Sequence, residues 1–144
     1  LVFEKAFKNS SSDAVFYLKH KSFFSYLGAH RYALTGLPWG HLRMNNLTYN
    51  KYVEKIFPER YLSVKDFYYK GLAYPRITIG NMIRIASDKG WKLGSVEYER
   101  SKHIECFQKI LFENNSSIYD QIKIHYDVST EELLSGLIHI TFTK

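Results

Sequence analysis

The expected fold is decided by residues 61–98, which read YLSVKDFYYKGLAYPRITIGNMIRIASDKGWKLGSVEY. Ser63 and Asp66 place a hydroxyl group and a carboxylate in the first turn of a helix, where they stabilise its free N–H groups. Gly71 is the residue type that commonly follows the end of such a helix. The start of this stretch therefore predicts a helix that begins at Ser63 and stops at Gly71.

A second and stronger helix is predicted after Pro75. Apolar side chains recur there at i, i+3, i+4 and i+7, which is the spacing of one helix face. Lys89 in the last turn and Gly90 directly after it are typical of a helix end. The predicted apolar face consists of Ile79, Met82, Ile83 and Ala86.

Gly94 and Ser95 lie between two short runs of strand-forming residues, 91–93 and 96–98. A glycine-first pair in this setting is typical of the two-residue turn that closes a β-hairpin. Helix, short connection, helix and hairpin follow one another in a winged helix-turn-helix. The centre of the chain is therefore predicted to have that arrangement.

The polar side of the second helix is the candidate functional surface. In a helix-turn-helix the second helix lies in the major groove, and its exposed polar side chains contact base edges. Arginine suits guanine and asparagine suits adenine, because each forms paired hydrogen bonds with that base. The predicted base-reading residues are Arg76, Thr78, Asn81 and Arg84. The predicted phosphate contacts are Lys65, Lys70, Lys89 and Lys92.

The same stretch resembles the winged-helix family of phage excisionases and mercury-resistance-type regulators. The resemblance covers about a quarter of the chain. It implies an architectural or regulatory DNA-binding protein without catalysis. The residues that carry it are Tyr61-Leu62-Ser63, Pro75, Thr78, Ile83-Arg84, the turn at Gly94, and Tyr98.

The first 58 residues are predicted to form helices joined by one loop. A serine cluster before Asp13 indicates a helix that continues to Leu27. Residues 35–46 are rich in Gly, Pro and Asn, which predicts a loop, and Trp39 within it is expected to be buried. Residues 48–57 carry aromatic and aliphatic side chains at helical spacing and end before a proline, which predicts a further helix.

The C-terminal part, residues 101–144, is predicted to be a helix followed by a strand, a helix and a strand. Ser101 opens the first helix, and the alternation of apolar and polar residues over 121–128 and 138–143 indicates the two strands. Ser129 and Glu132 match a capping box for the short helix between them.

An alternative interpretation takes residues 118–125 as a helix that forms a second helix-turn-helix with residues 131–138. The expected fold is α+β and mostly α. It is a single domain over 1–144, with N-terminal helices (1–58), a winged helix-turn-helix centre (61–98) and a small C-terminal β element.

Charge and cysteine content limit the possible partners and compartments. Twenty Lys and Arg against fourteen Asp and Glu give a formal charge of +6 and a pI near 9.3, which favours a polyanionic partner. Cys106 is the only cysteine and is expected near an inward helix face, and a single cysteine suits a reducing, intracellular compartment. The sequence contains no apolar run long enough to predict a membrane span.

Two functional hypotheses follow from these features. The first is a non-catalytic nucleic-acid-binding protein, with duplex DNA as the expected partner. The second is a non-catalytic subunit of a larger protein or ribonucleoprotein assembly, because aromatic residues are enriched at interfaces. The tyrosines expected to be exposed for that purpose are Tyr26, Tyr32, Tyr68 and Tyr69.

Catalytic, cofactor and metal sites are not predicted. The sequence contains no glycine-rich phosphate loop, no HExxH and no nucleophile elbow. His103 and Cys106 have a spacing found in zinc sites, but no second pair accompanies them.

Overall fold

A computed structural model describes residues 2–26, 28, 37–70, 76–100, 102–113 and 117–144. The protein is α+β, and the described residues form eight helices and a three-stranded antiparallel sheet. Among them, no helix is both long and apolar enough to cross a membrane. The helices are α1 (Val2–Lys8), α2 (Gly40–Arg43), α3 (Asn46–Ile56), α4 (Tyr61–Lys70), α5 (Ile79–Ser87), α6 (Ile104–Phe112), α7 (Ile118–Lys123) and α8 (Thr130–Leu134). The strands are β1 (Val15–His20), β2 (Lys92–Arg100) and β3 (Ser135–Thr143).

The last strand, β3, is the centre of the sheet. It pairs antiparallel with β1 on one side and with β2 on the other. Its inward side chains Ile138, Ile140 and Phe142 are fully buried, as the alternating sequence pattern predicts. The predicted C-terminal strand is thus confirmed, although its partners are 15–20 and 92–100 rather than the neighbouring segment 121–128.

Two clusters of apolar side chains stabilise the molecule. The sheet core contains the inward face of β3, Ile79 and Ala86 of α5, and Trp91, with side chains of α1 packed against it. The helical core contains buried side chains of α2, α3, α4, α6, α7 and α8, including Trp39. Each core therefore holds one of the two tryptophans of the chain.

The predicted helix over 13–27 is wrong, because residues 15–20 form β1. Exposure alternates along this segment, with Phe16 and Leu18 turned towards the sheet core and Val15 and Tyr17 exposed. The alternation is visible in the sequence, but Phe16 and Phe23 also fit a helical spacing. Pairing with β3 decides between the two structures.

The predicted hairpin at Gly94-Ser95 is also wrong, because residues 92–100 form a single strand. The pairing of β2 with β3 is irregular between Leu93 and Ser95, so that Gly94 is the extra residue of a β-bulge. Glycine inside a strand pattern is typical of a bulge as well as of a turn. Without the hairpin, the predicted wing is missing.

Residues 121–128 do not form the predicted strand. Residues 118–123 form α7, with the Ser117 side chain accepting a hydrogen bond from the Asp120 N–H as its N-cap. This agrees with the first helix of the alternative interpretation, whereas residues 135–138 of its second helix belong to β3. Cys106 also differs from its prediction, because it is exposed on α6.

The remaining helix predictions agree with the structure to within a few residues. α3, α5 and α6 occupy the predicted segments, and the Ser129 side chain accepts the Glu132 N–H at the start of α8. Ser63 is not the N-cap of α4, because that helix begins at Tyr61 and the Ser63 hydroxyl donates to the Arg60 carbonyl. Other predicted boundary residues lie outside the described residues, namely Leu27, Gly71, Pro75 and Ser101.

Candidate functional site

Arg76 does not lie on a groove-reading face. Its guanidinium carbon lies 4.5 Å from the centre of the Phe23 ring and 4.3 Å from that of Tyr68. One guanidinium N–H also donates to the Tyr68 carbonyl oxygen at 3.0 Å. Arg76 precedes the first turn of α5 and is held between two aromatic rings of the helical core, so it does not lie on the exposed face of that helix.

Thr78 is likewise turned inward. It is buried, and its hydroxyl oxygen accepts the Asn81 N–H at 3.3 Å as the N-cap of α5. The periodicity of the sequence identified the helix but placed its start too early. Thr78 therefore stabilises α5 and is not available to a base.

Asn81 and Arg84 are exposed, as predicted for a reading face. A guanidinium N–H of Arg84 donates to the Asn81 amide oxygen at 3.4 Å. Lys89 and Lys92 are also exposed, just beyond the end of α5 and at the start of β2. We refer to Asn81, Arg84, Lys89 and Lys92 as the α5 basic surface.

The turn that joins α5 to β2 has a fixed shape. Gly90 has a φ of 96°, and a Cβ atom there would lie 2.6 Å from the Phe7 ring of α1. The adjacent Trp91 is buried, and its indole N–H donates to the Phe3 carbonyl at 2.9 Å. The contacts of Gly90 and Trp91 with α1 thus fix the backbone between Lys89 and Lys92.

Acidic groups near this surface are few. Asp88 is exposed at the end of α5, and Glu4 lies on the neighbouring helix α1. The hydrogen bond and the charge of Lys8 lower the pKa of Glu4, and the charge of Lys89 lowers it further. Glu4 is therefore already compensated by Lys8, with which it forms an ion pair at 2.8 Å.

Lys65 and Lys70, the other predicted phosphate contacts, lie on α4, which packs against α3. The Lys65 amine is 3.8 Å from the Glu54 carboxylate, and the Lys70 amine is 3.0 Å from that of Asp66. Because each lysine faces a carboxylate, these two residues do not extend the α5 basic surface.

A cationic cleft lies where α2 passes into α3, with α4 and the segment after α7 forming its other walls. It has a volume of about 490 Å³. Two arginines and one histidine line it, and no acidic side chain does so among the described residues. Its polar and aromatic lining includes Arg43, Asn45, Tyr68, Arg76, His125 and Tyr126.

Buried hydrogen bonds hold residues next to this cleft. His41 precedes the lining residue Leu42 and is fully buried, and its Nε2 lies 2.7 Å from the Phe23 carbonyl oxygen. Burial lowers the pKa of His41 to about 4, and the nearby Arg76 charge lowers it in the same direction. His41 is thus neutral near pH 7 and donates to Phe23, while the Tyr68 hydroxyl donates to the His41 carbonyl at 3.1 Å.

Glu132 carries a buried carboxylate, and the sequence pattern did not predict that this group would be buried. It accepts the Ser22 hydroxyl at 2.5 Å and the Ile79 N–H at 2.9 Å, and burial raises its pKa. The capping box predicted that this carboxylate would turn back to Ser129. It instead joins α8 to the end of β1 and to the first turn of α5.

The face of the sheet that points away from the sheet core carries a row of polar side chains from all three strands. The Tyr17 hydroxyl bonds to Nδ1 of His139, and Nε2 of His139 is 3.7 Å from the Glu99 carboxylate. Glu97 is exposed beside it on β2. These carboxylates make this face a poor surface for a polyanion.

Two of the tyrosines predicted to be exposed are in fact core residues. Tyr26 and Tyr68 are buried in the helical core, and Tyr69 is half-buried beside them. Tyr32 lies outside the described residues. The predicted interaction surface of exposed tyrosines is therefore wrong for the tyrosines that the structure describes.

Family models, curated proteins and solved structures were compared with this chain, and none of them matches it.

Proposed function

We propose that this protein is a non-catalytic nucleic-acid-binding protein that holds the phosphate backbone, with duplex DNA as the expected partner, through the α5 basic surface. The observation that supports this is a run of exposed cations, Arg84, Lys89 and Lys92. In the part of the chain that the structure describes, none of the three lies within ion-pair distance of an acidic side chain. Exposed cations that form no ion pair with a carboxylate can bind phosphates without first breaking such a pair.

A winged helix-turn-helix reads base edges, whereas this surface is expected to contact mainly phosphates. Arg76 and Thr78 are engaged inside the protein, and residues 92–100 form one strand instead of a wing. Asn81 and Arg84 are the predicted base-reading residues that are exposed. Phosphate contacts position a protein on a duplex, whereas base contacts specify sequence. Binding is therefore expected to be strongly salt-dependent and weakly sequence-dependent. The formal charge of +6 also attracts a polyanion such as DNA at long range.

The test replaces Arg84, Lys89 and Lys92 together with alanine. Affinity for a random-sequence duplex is measured by fluorescence anisotropy over a series of salt concentrations. Each lost phosphate contact should lower the slope of log affinity against log salt by about 0.9, so three should lower it by about 2.7.

A matched control carries alanine at Lys51, Lys55 and Lys102, which are exposed cations elsewhere on the surface. The control removes the same formal charge as the test variant. The parent slope is expected to be retained, because these three lysines are not part of the α5 basic surface. Equal losses in both variants would mean that total charge, and not this surface, drives binding. An unchanged slope in the Arg84, Lys89 and Lys92 variant would refute the proposal.

The second candidate function is a non-catalytic subunit of an assembly, and a different set of residues now supports it. Leu47, Ile56 and Leu62 are large apolar side chains exposed on α3 and α4. Exposed apolar side chains that together form a contiguous patch are typical of interaction surfaces. Duplex binding that is undetectable at low salt, together with association of the chain through α3 and α4, would favour this function over the first.

A further inference from the structure

We infer that the cationic cleft between α2, α3, α4 and the segment after α7 binds a phosphate monoester about the size of a mononucleotide. This site is separate from the α5 basic surface and shares no residue with it. The inference depends on three features of the cleft: its charge, the fixed position of its arginines, and its volume.

The charge of the cleft suits a dianion. Arg43 and Arg76 each contribute a permanent positive charge, and His125 contributes an imidazole that can donate a hydrogen bond. A phosphate monoester carries about −1.5 to −2 charges near pH 7. The two guanidinium charges therefore match the charge of such a dianion. The Arg43 guanidinium group also matches phosphate oxygens in geometry, because its terminal nitrogens can donate two parallel hydrogen bonds.

Both arginines are held in place by contacts within the protein. Arg76 is sandwiched between the rings of Phe23 and Tyr68 and donates to the Tyr68 carbonyl. Arg43 donates from Nε to the Gln121 side-chain oxygen at 3.3 Å, a bond that leaves its two terminal nitrogens for an oxyanion. Because these groups are ordered before a ligand arrives, little conformational entropy is lost on binding.

The volume indicates more than a bare phosphate group. Sites for small organic ligands occupy about 300–1,000 Å³, and the cleft, at about 490 Å³, falls within this range. Tyr126 offers an aromatic surface, and the amides of Asn45 and Asn46 offer hydrogen-bonding groups. The Asn45 oxygen already accepts the Thr48 N–H, so its NH2 group is the part left for a ligand. A mononucleotide is therefore expected to bind more tightly than inorganic phosphate.

The test measures binding of AMP, inorganic phosphate and adenosine to the full chain by isothermal titration calorimetry. We expect AMP to bind best, inorganic phosphate to bind more weakly, and adenosine to bind weakest because it lacks the charged group. Arg43→Ala should weaken AMP binding by about 10- to 100-fold, since hydrogen bonds to charged groups are the strong ones. Arg43 is exposed, so this variant should fold, and its far-UV circular dichroism spectrum verifies that it does.

Two further variants make the result specific. Arg60→Ala removes an exposed arginine away from the cleft and should leave AMP affinity unchanged. Arg43→Lys keeps the charge but not the paired donors, and should recover only part of the affinity. Equal AMP affinity in the parent chain and in Arg43→Ala, or no saturable AMP binding at all, would overturn the inference.

The two proposed sites can fail independently. The variant with alanine at Arg84, Lys89 and Lys92 should bind AMP as the parent chain does, and Arg43→Ala should bind a duplex with the parent salt slope. Loss of AMP binding in the first of these variants would place the nucleotide on α5 and refute the cleft site.

Discussion

The Glu132 carboxylate connects three parts of the chain that are far apart in sequence. It accepts hydrogen bonds from Ser22 and from the Ile79 N–H in a buried position. Carboxylates are stabilised at a helix N-terminus, and Ile79 is the first residue of α5. Burial raises the pKa of Glu132, whereas the hydrogen bonds from Ser22 and from the Ile79 N–H favour its ionised form.

Replacing Glu132 with alanine should lower the free energy of unfolding by about 2–4 kcal/mol, because two buried donors lose their acceptor and a cavity remains. Glu131→Ala is the matched control, since Glu131 is exposed on the same helix, and it should change stability by less than about 0.5 kcal/mol. Urea denaturation monitored by circular dichroism measures both values. Similar losses in the two variants would show that the buried hydrogen bonds contribute little.

At the scale of elements, the long amphipathic helices were predictable, and so was the short α8 through its capping box, whereas α7 and β1 were not. α3 and α5 span two or more turns, so their apolar side chains repeat often enough to reveal a helix. α7 has six residues, fewer than two turns, and its apolar residues Ile118 and Ile122 fit several patterns. β1 was missed because its strand pattern becomes decisive only when β3, more than a hundred residues later, is known to pair with it.

Replacing Gly80 or Gly94 with alanine should change the free energy of unfolding in opposite directions. A Cβ atom at Gly94 would lie 3.2 Å from the Thr141 carbonyl oxygen of the central strand, whereas one at Gly80 in α5 meets nothing within 4 Å. Gly80→Ala should therefore raise the free energy of unfolding by about 0.5–1 kcal/mol, the usual gain of alanine over glycine in a helix. Gly94→Ala should lower it by about 1 kcal/mol, because the strand must shift to admit the methyl group. Thermal unfolding of both variants tests this, and a gain at both positions would contradict the bulge assignment.

At the scale of the whole molecule, only part of the candidate site was predictable. Helical periodicity correctly placed Asn81 and Arg84 on an exposed face, because such a pattern needs only local sequence. It could not place Arg76, whose surroundings come from Phe23 and Tyr68 in other segments. The cationic cleft was not predictable for the same reason, because Arg43, Arg76 and His125 meet only after the chain has folded.

The helical core and the sheet core should unfold together, and the hydrogen bonds of Glu132 are expected to help couple them. Trp39 reports on the helical core and Trp91 on the sheet core, so Trp91→Phe and Trp39→Phe each leave one reporter. In each variant the fluorescence midpoint of urea unfolding should coincide with the circular dichroism midpoint of that same variant, since a small domain unfolds cooperatively. Comparison within one variant cancels any destabilisation by the tryptophan substitution itself.

Adding Glu132→Ala to both single-tryptophan variants should separate these midpoints, because α8 then loses its hydrogen bonds to Ser22 and to α5. A matching addition of Glu131→Ala should leave them together. Midpoints that already differ before Glu132 is changed would mean that the cores are independent units. Midpoints that stay together after the change would mean that backbone pairing and apolar contacts, such as those of α8 with β2 and β3, are sufficient to couple the cores.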